Sequence, residues 1–263
     1  MRRPAEPRLG VTVALGLLQG PAELLPVSST AHVELLGRRL DGYARLGAAA
    51  RKELAVALHA GSAVALALGG MPARPPRERW ALLALATAPA ALAGFALEGP
   101  IERRLSAPGA MAAGLVAGSI ALVAADRRPQ ERDAGDAAPG DALWIGLAQA
   151  AALAPGVSRN GATLTAARVL RFRRTDANVI SRQIALPVIL GAAALKGGRL
   201  ARRGVPAELG RRMAAGAAAA FVSTLLSLRL ITMLERSRSL RPYAAYRAVL
   251  GAGALATLAR RAA

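Results

Sequence analysis

The stretch Gln19-Gly20-Pro21-Ala22-Glu23-Leu24-Leu25-Pro26-Val27-Ser28-Ser29-Thr30-Ala31-His32 breaks an otherwise apolar run. It has a counterpart in Pro155-Gly156-Val157-Ser158-Arg159-Asn160-Gly161-Ala162-Thr163. The apolar segments that lead into them, Leu9–Leu25 and Leu143–Ala154, each end in a proline-serine knot followed by a second short helical stretch. Neither reads as a full membrane span. A helix broken inside a bilayer leaves N–H and C=O groups unpaired, which is tolerated only where the break is buried in protein or lines a wet cavity. Both segments are therefore read as re-entrant helical hairpins.

The rest of the 263-residue chain supports that reading. Hydrophobic residues make up 54% but aromatics only 3%, so the apolar mass is Ala, Leu, Val and Gly. Such small residues let membrane helices approach closely. Full spans are predicted at Leu54–Gly70, Trp80–Leu97, Met111–Ala125, Val179–Leu195, Met213–Met233 and Tyr243–Ala259. Each is about long enough to cross roughly 30 Å of hydrocarbon. The net charge of +19 could indicate a nucleic-acid partner. The arginines, however, sit in short clusters between apolar runs, such as Arg38-Arg39, Arg103-Arg104 and Arg202-Arg203, as in loops that flank spans. No nucleic-acid motif accompanies them, so no nucleic acid is expected as a partner. With no cysteine, thiolate chemistry is excluded. Arg2, Arg3 and Arg8 before an apolar run resemble a signal peptide, but no small-residue cleavage site follows, and the run is read as part of the fold.

The two knots are related to each other. Gly16-Leu17-Leu18-Gln19 aligns with Gly146-Leu147-Ala148-Gln149, Val27-Ser28 with Val157-Ser158, and Gly61 with Gly191, all at one offset of 130 residues. Each half holds one hairpin and three spans, and an odd number of spans inverts the second half. The expected fold is an all-α polytopic membrane protein of two inverted repeats, in one membrane domain covering residues 1–263. Repeat one runs from about 9 to 125, the polar linker over 126–141, and repeat two from about 141 to 260. Such repeats place a site at their interface near mid-membrane.

Gln19 and Glu23 are four apart and share a helix face. Pro26 ends that helix, and Ser28, Ser29 and Thr30 can cap the next, whose free N–H groups form a natural anion site. His32 follows in its first turn. The second knot repeats the arrangement with Ser158, Asn160 and Thr163, and adds a guanidinium. Superposing the halves puts Arg159 opposite Ser29 and Leu153 opposite Glu23, so the first half supplies acid, hydroxyls and imidazole and the second the cation. Ser, Thr and Gly can serve packing alone. An intramembrane Glu, His and Arg beside helix breaks point to function. His59 either lines the site or bonds a neighbouring helix. Arg182, one turn before Pro187, either faces the cavity as a second phosphate ligand or snorkels. Arg168 is read the same way, whereas Arg229 and Arg247 are expected to snorkel.

Gln-x-x-x-Glu followed by Pro-Val-Ser-Ser-Thr-Ala-His, then Pro-Gly-Val-Ser-Arg-Asn-Gly-Ala-Thr, resembles the bacterial undecaprenyl-diphosphatase family of the bacitracin-resistance type. The resemblance extends to Ala185-Leu-Pro-Val-Ile-Leu-Gly191 and to the length and span order. It implies an enzyme of the bacterial inner membrane that removes the terminal phosphate of undecaprenyl diphosphate and regenerates the lipid carrier of cell-wall synthesis. It also implies a divalent cation, a site open to the outer face, and an inverted-repeat fold. The pattern marks Gln19, Glu23, Ser28, Ser29, His32, Ser158, Arg159 and Thr163. Four positions depart from it: Ala31 replaces a usual Gly, Asn160 a usual Ser, His59 a common Gln, and Arg182 an aromatic.

On this reading Arg159 clamps the transferring phosphoryl group. Helix N-terminal amides near Ser28–Thr30 and Ser158–Gly161 add donors. Glu23 with Gln19 holds Mg²⁺ or Ca²⁺ through oxygen. Ser29, activated by Glu23 or His32, is the first choice of nucleophile. His32 acting directly, or as base for water, is the second. The expected partners are an isoprenoid lipid diphosphate, the bilayer, and a second copy of the chain in a homodimer. A flippase of lipid-linked phosphate shares inverted repeats and broken helices, and is the alternative. A type 2 phosphatidic acid phosphatase needs two spaced histidines and an Asp partner, which His32 and His59 do not provide. A non-catalytic membrane partner does not account for the acid, hydroxyl and guanidinium together. Loops on the N-terminal side carry slightly more Lys and Arg, which by a small margin puts the N-terminus in the cytoplasm.

Overall fold

A computed structural model of the chain describes residues 7–70 and 79–262. Arg2 and Arg3 of the N-terminal basic run lie outside them. Among the described residues the regular elements are helices, with one isolated parallel bridge between Arg132 and Phe172. The first half comprises α1 (Leu9–Leu24), α2 (Ser29–Gly37), α3 (Ala48–Ala65, prolonged by a π-turn at Leu66–Gly70), α4 (Trp80–Leu105) and α5 (Pro108–Asp126). The second comprises α6 (Pro139–Ala151), α7 (Arg159–Val169), α8 (Arg174–Arg203), α9 (Ala207–Leu226), α10 (Arg229–Glu235) and α11 (Arg241–Ala262).

Helix α1 ends as expected at its proline knot, because the residue before a proline is pushed out of the helical region and Leu25, before Pro26, is extended; α6 already ends at Ala151, a turn ahead of Pro155. Helix α6 starts earlier than the apolar run does, with Pro139 in its first turn. Proline is pre-organised there and its missing N–H costs nothing. Asp141 fixes this start by accepting from the Ala138 amide at 2.8 Å and from both terminal nitrogens of Arg132. Burial alone would raise the Asp141 carboxyl, but the Arg132 hydrogen bonds hold it below the usual range.

Among the described residues, four helices are long and apolar enough to cross a membrane: α3 with its π-turn, α4 over Trp80–Ile101, α5 and α8. The predicted span Met213–Met233 is not one straight helix. It breaks into α9 and α10, bent by 49°, and passes as a fifth span only if the pair is taken together. No proline is involved. Thr224 Oγ1 donates back to the Ala220 carbonyl at 2.7 Å, Ser223 Oγ donates across to Leu17 O, and the Ser227 amide closes the last turn. Hydroxyls bonded to the preceding turn bend helices. The predicted span Tyr243–Ala259 lies within α11, which is not among the apolar spans because it carries Arg247.

Large apolar side chains point outward, among them Leu92, Phe95, Leu226 and Val249, and α4 over Trp80–Ile101 is the span least buried by protein. In water this much exposed apolar surface would be unstable. The interior holds two main apolar clusters. One joins Leu15, Leu54, Leu58 and Ala220 of α1, α3 and α9. The other joins Ala86, Ile145, Leu164, Phe172 and Ile180 around α4, α6, α7 and α8. Helix α1 lies along α9, α6 along α4, and α5 along α11. Two glycines allow the first two pairings. A Cβ on Gly16 would collide with the carbonyl of Gly216, and one on Gly146 with that of Ala86.

Candidate active site

Glu23 ends α1 in a buried position, and its carboxylate gathers side chains from four helices. Ser29 Oγ, in the first turn of α2, donates to Oε2 at 2.6 Å. Gln19 Nε2, one turn back on α1, donates to the same oxygen at 3.2 Å. Arg159 Nη2, in the first turn of α7, donates to Oε1 at 3.0 Å. His59 on α3 turns its Nδ1 to the Ala55 carbonyl, which can only accept, and so aims Nε2 at Oε2 from 3.6 Å. The tips are tied a second time where Asn160 Nδ2 donates to Leu24 O at 3.0 Å. Ser181 Oγ then donates to Asn160 Oδ1 at 2.9 Å and pairs with Thr163 Oγ1 at 2.6 Å.

Both helix starts are strained alike. Ser28 has φ 72° and Ser158 φ 68°, where a side chain is disfavoured. Such conformations cost of order 1–3 kcal/mol and cluster at functional sites. They differ in capping: Ser158 Oγ accepts from the Gly161 amide, whereas Ser28 makes no side-chain cap. A small, open cavity reaches this cluster, lined at its polar end by Glu23, Arg159, Asn160, Ser181 and Arg182.

The structure therefore brings together Gln19, Glu23, Ser29, Arg159, Asn160 and Thr163, and places His59 Nε2 3.6 Å from the Glu23 carboxylate. Thr30 is exposed and outside this set. Arg182 faces the cavity and is paired with Glu235 of α10. His32 turns away to α11: Nδ1 bonds the Ser28 carbonyl at 2.8 Å, and the ring stacks on Tyr246, whose hydroxyl meets Nε2 at 2.7 Å. Because the carbonyl can only accept, the Nδ1 proton is fixed and Nε2 accepts from the tyrosine in the neutral ring.

Two arginines correct the sequence reading. Arg247 does not snorkel. It is 0% exposed, and its guanidinium donates to the carbonyls of Pro26, Gly156 and Val157, one hairpin tip on each side. The space it fills is left by Gly118 and Gly161, where a Cβ would strike its terminal nitrogens. Arg168 does not face the cavity. It is equally buried and holds the carbonyls of Arg128 and Pro129 in the mid-chain loop and of Phe172 between α7 and α8. Sequence reasoning also passed over Tyr246, Ser181 and Glu235. Each lies on a later helix outside both knots and matches no local pattern.

An all-helical bundle with apolar outer walls and a buried carboxylate–hydroxyl–guanidinium cluster at two helix breaks defines a polytopic membrane protein with a buried polar site. Residues 12–253 match the family described as Bacitracin resistance protein BacA. Proteins named undecaprenyl-diphosphatase are similar over nearly their whole length. That of Geobacter metallireducens is 38% identical over 261 residues, covering 92% of this chain and 95% of its own. That of Trichlorobacter lovleyi is 36% identical over 264 residues, with 93% and 95% covered. That of Geobacter sulfurreducens is 37% identical over 267 residues, with 94% and 97% covered. The chain belongs to the bacitracin resistance protein family.

Proposed function

We propose that this protein is a lipid diphosphatase of the bacterial inner membrane, which cleaves the terminal phosphate from undecaprenyl diphosphate and regenerates the monophosphate carrier for cell-wall synthesis. The single observation that carries the mechanism is the short hydrogen bond from Ser29 Oγ to Glu23, with Arg159 on the other carboxylate oxygen. A hydroxyl is a weak nucleophile unless a base accepts its proton, and here the base is already hydrogen-bonded to it. Ser29 Oγ attacks the terminal phosphorus, and its proton passes to Glu23. The bond from that phosphorus to the bridging oxygen breaks, and the lipid monophosphate departs. Water then attacks the phosphoserine phosphorus, the bond from that phosphorus to Ser29 Oγ breaks, Glu23 returns its proton to Oγ, and the proton of the water leaves on the inorganic phosphate. Arg159 moves between Glu23 and the phosphoryl oxygens, where a guanidinium fork stabilises the charge of the transition state. Gln19, Ser28, Ser158, Asn160 and Thr163 complete the headgroup site, through side chains or helix N-terminal amides. His32 is the weaker nucleophile candidate, since both its ring nitrogens are engaged by Ser28 and Tyr246.

The residues fit an oxygen-seeking divalent cation, Mg²⁺ or Ca²⁺. Gln19 must aim its amide nitrogen at Glu23, which leaves Oε1 buried and without a hydrogen-bond partner beside the carboxylate. No group of three His, Cys, Asp or Glu that could hold a metal occurs among the described residues. Gln19 and Glu23 would therefore hold the ion only loosely, and when bound it would neutralise diphosphate charge.

An inverted-repeat architecture is supported by the packing. The carbonyls that Gly16 and Gly146 approach belong to Gly216 and Ala86, so both members of each pair differ by the same 130 residues. The strained Ser28 and Ser158 differ by 130 as well. In this arrangement α1–α2 and α6–α7 are re-entrant hairpins whose tips meet within the membrane, with the cavity opening to the outer face.

The test is phosphate release from farnesyl diphosphate by the purified full-length chain in detergent, where no lipid can be flipped, with and without chelator. Release is expected, and loss of at least about a hundredfold in kcat is expected for Glu23→Gln. No release by the wild-type chain would reject the enzyme in favour of a flippase, and full activity in Glu23→Gln would remove the acid from the scheme.

A further inference from the structure

Arg182 is a second guanidinium in the cavity that holds Arg159. Each is matched by its own carboxylate, Arg159 by Glu23 and Arg182 by Glu235. The second pair joins α8 to α10 and depends on the bend ahead of α10. That bend sets Ile231 in the cavity wall and Glu235, one turn later, against Arg182. Along α8, Arg182, Ala185, Leu186 and Ile189 fall at i, i+3, i+4 and i+7 and line the same cavity. Such spacing is one continuous helix face. Leu66, beyond the end of α3, and Ile231 close the apolar side. The wall thus passes from cation to aliphatic carbon along one helix, which is the polarity order of a lipid headgroup followed by its tail.

A lipid diphosphate has two phosphates and its hydrolysis product has one. Arg159 stands beside Ser29 and Glu23, where the terminal phosphate would react. Arg182 stands at the head of the apolar stripe, where the tail-proximal phosphate would lie. Carboxylate and phosphate present similar oxygen pairs to a guanidinium. Glu235 and the tail-proximal phosphate therefore compete for Arg182. A diphosphate anchored at Arg159 meets Arg182 at high effective concentration and wins that competition. Once the terminal phosphate has gone, the lipid monophosphate holds Arg182 alone, and Glu235 can reclaim it.

We propose, resting on the diphosphatase reading, that Arg182 is a specificity-determining residue that binds the tail-proximal phosphate, and that Glu235 is a built-in competitor that favours release of the lipid monophosphate. The full-length chain in detergent tests this with farnesyl diphosphate as substrate and farnesyl monophosphate as inhibitor. In Arg182→Gln the KM rises about tenfold with kcat little changed, as expected for one lost charge-assisted hydrogen-bond set. Arg182→Lys, which keeps the charge without the fork, recovers part of that loss. In Glu235→Gln, inhibition by the monophosphate strengthens several-fold, and this effect vanishes when Arg182→Gln is also present. An unchanged KM in Arg182→Gln overturns the proposal, as does a Glu235→Gln effect that persists without Arg182. Thermal stabilisation by methylenediphosphonate, a diphosphate that cannot be hydrolysed, needs no turnover. Its loss in Arg182→Gln supports the subsite even if the wild-type chain releases no phosphate, and its retention sinks the subsite whatever the chain hydrolyses.

Discussion

Arg247 concentrates at one residue what holds this site together. Its guanidinium satisfies three carbonyls that no helix can satisfy, because they lie in the broken tips just before Ser28 and Ser158. Removing one partner of a buried charged group costs several kcal/mol, since the remaining polar groups stay desolvated. Arg247→Met is expected to lower stability by about 3 kcal/mol, seen as a lower melting temperature in detergent. Gly118→Ala should displace the guanidinium without removing it, and so reduce activity more than stability. A melting temperature unchanged in Arg247→Met would show that the carbonyls find other partners. At this scale the sequence was informative where chemistry is local. Gln19, Glu23 and Ser29 could be grouped from a four-residue spacing and one proline. Arg247 could not, because its acceptors are backbone carbonyls 90, 91 and 221 residues away and carry no side-chain signature. An arginine in an apolar run then reads as a snorkelling one.

Among the elements, the paired contacts α1–α9 and α6–α4 allow a comparison within one molecule. Gly16→Ala and Gly146→Ala should each push a helix off its neighbour and destabilise by about 1–3 kcal/mol, the usual range for overpacking. Gly191→Ala, where nothing lies within 4 Å, should be neutral. Thermal melting of the three variants checks this, and a neutral Gly16→Ala would mean that α1 and α9 can separate without loss. The breaks after α1 and α6 were legible because proline marks them. The break between α9 and α10 was not. It arises from Thr224 bonding its own preceding turn while Ser223 bonds α1, and hydroxyls of this kind are equally common in straight membrane helices. The same break carries Glu235 to Arg182, so a partner of the cavity's second cation was missed with it.

At the scale of the whole molecule, the apolar runs and the arginine clusters gave the class of fold, and five of the six predicted spans coincide with helices or a helix pair apolar enough to cross a membrane. What they could not give is the meeting of the halves, since that depends on close backbone approaches such as Gly16 to Gly216. The Glu23–Arg159 pair joins positions 136 residues apart. Read in time rather than space, this fixes when activity can begin during synthesis. The acid and the hydroxyl are made early, but their cation leaves the ribosome only after more than half the chain. The first hairpin must therefore wait, its carboxylate held by Ser29, Gln19 and His59 but without its guanidinium partner, until α7 arrives. Chains truncated before Arg159 are expected to release no phosphate and to be degraded faster than the full-length protein in a pulse-chase. A stable truncated chain that hydrolyses farnesyl diphosphate would show that the first half needs no such delay.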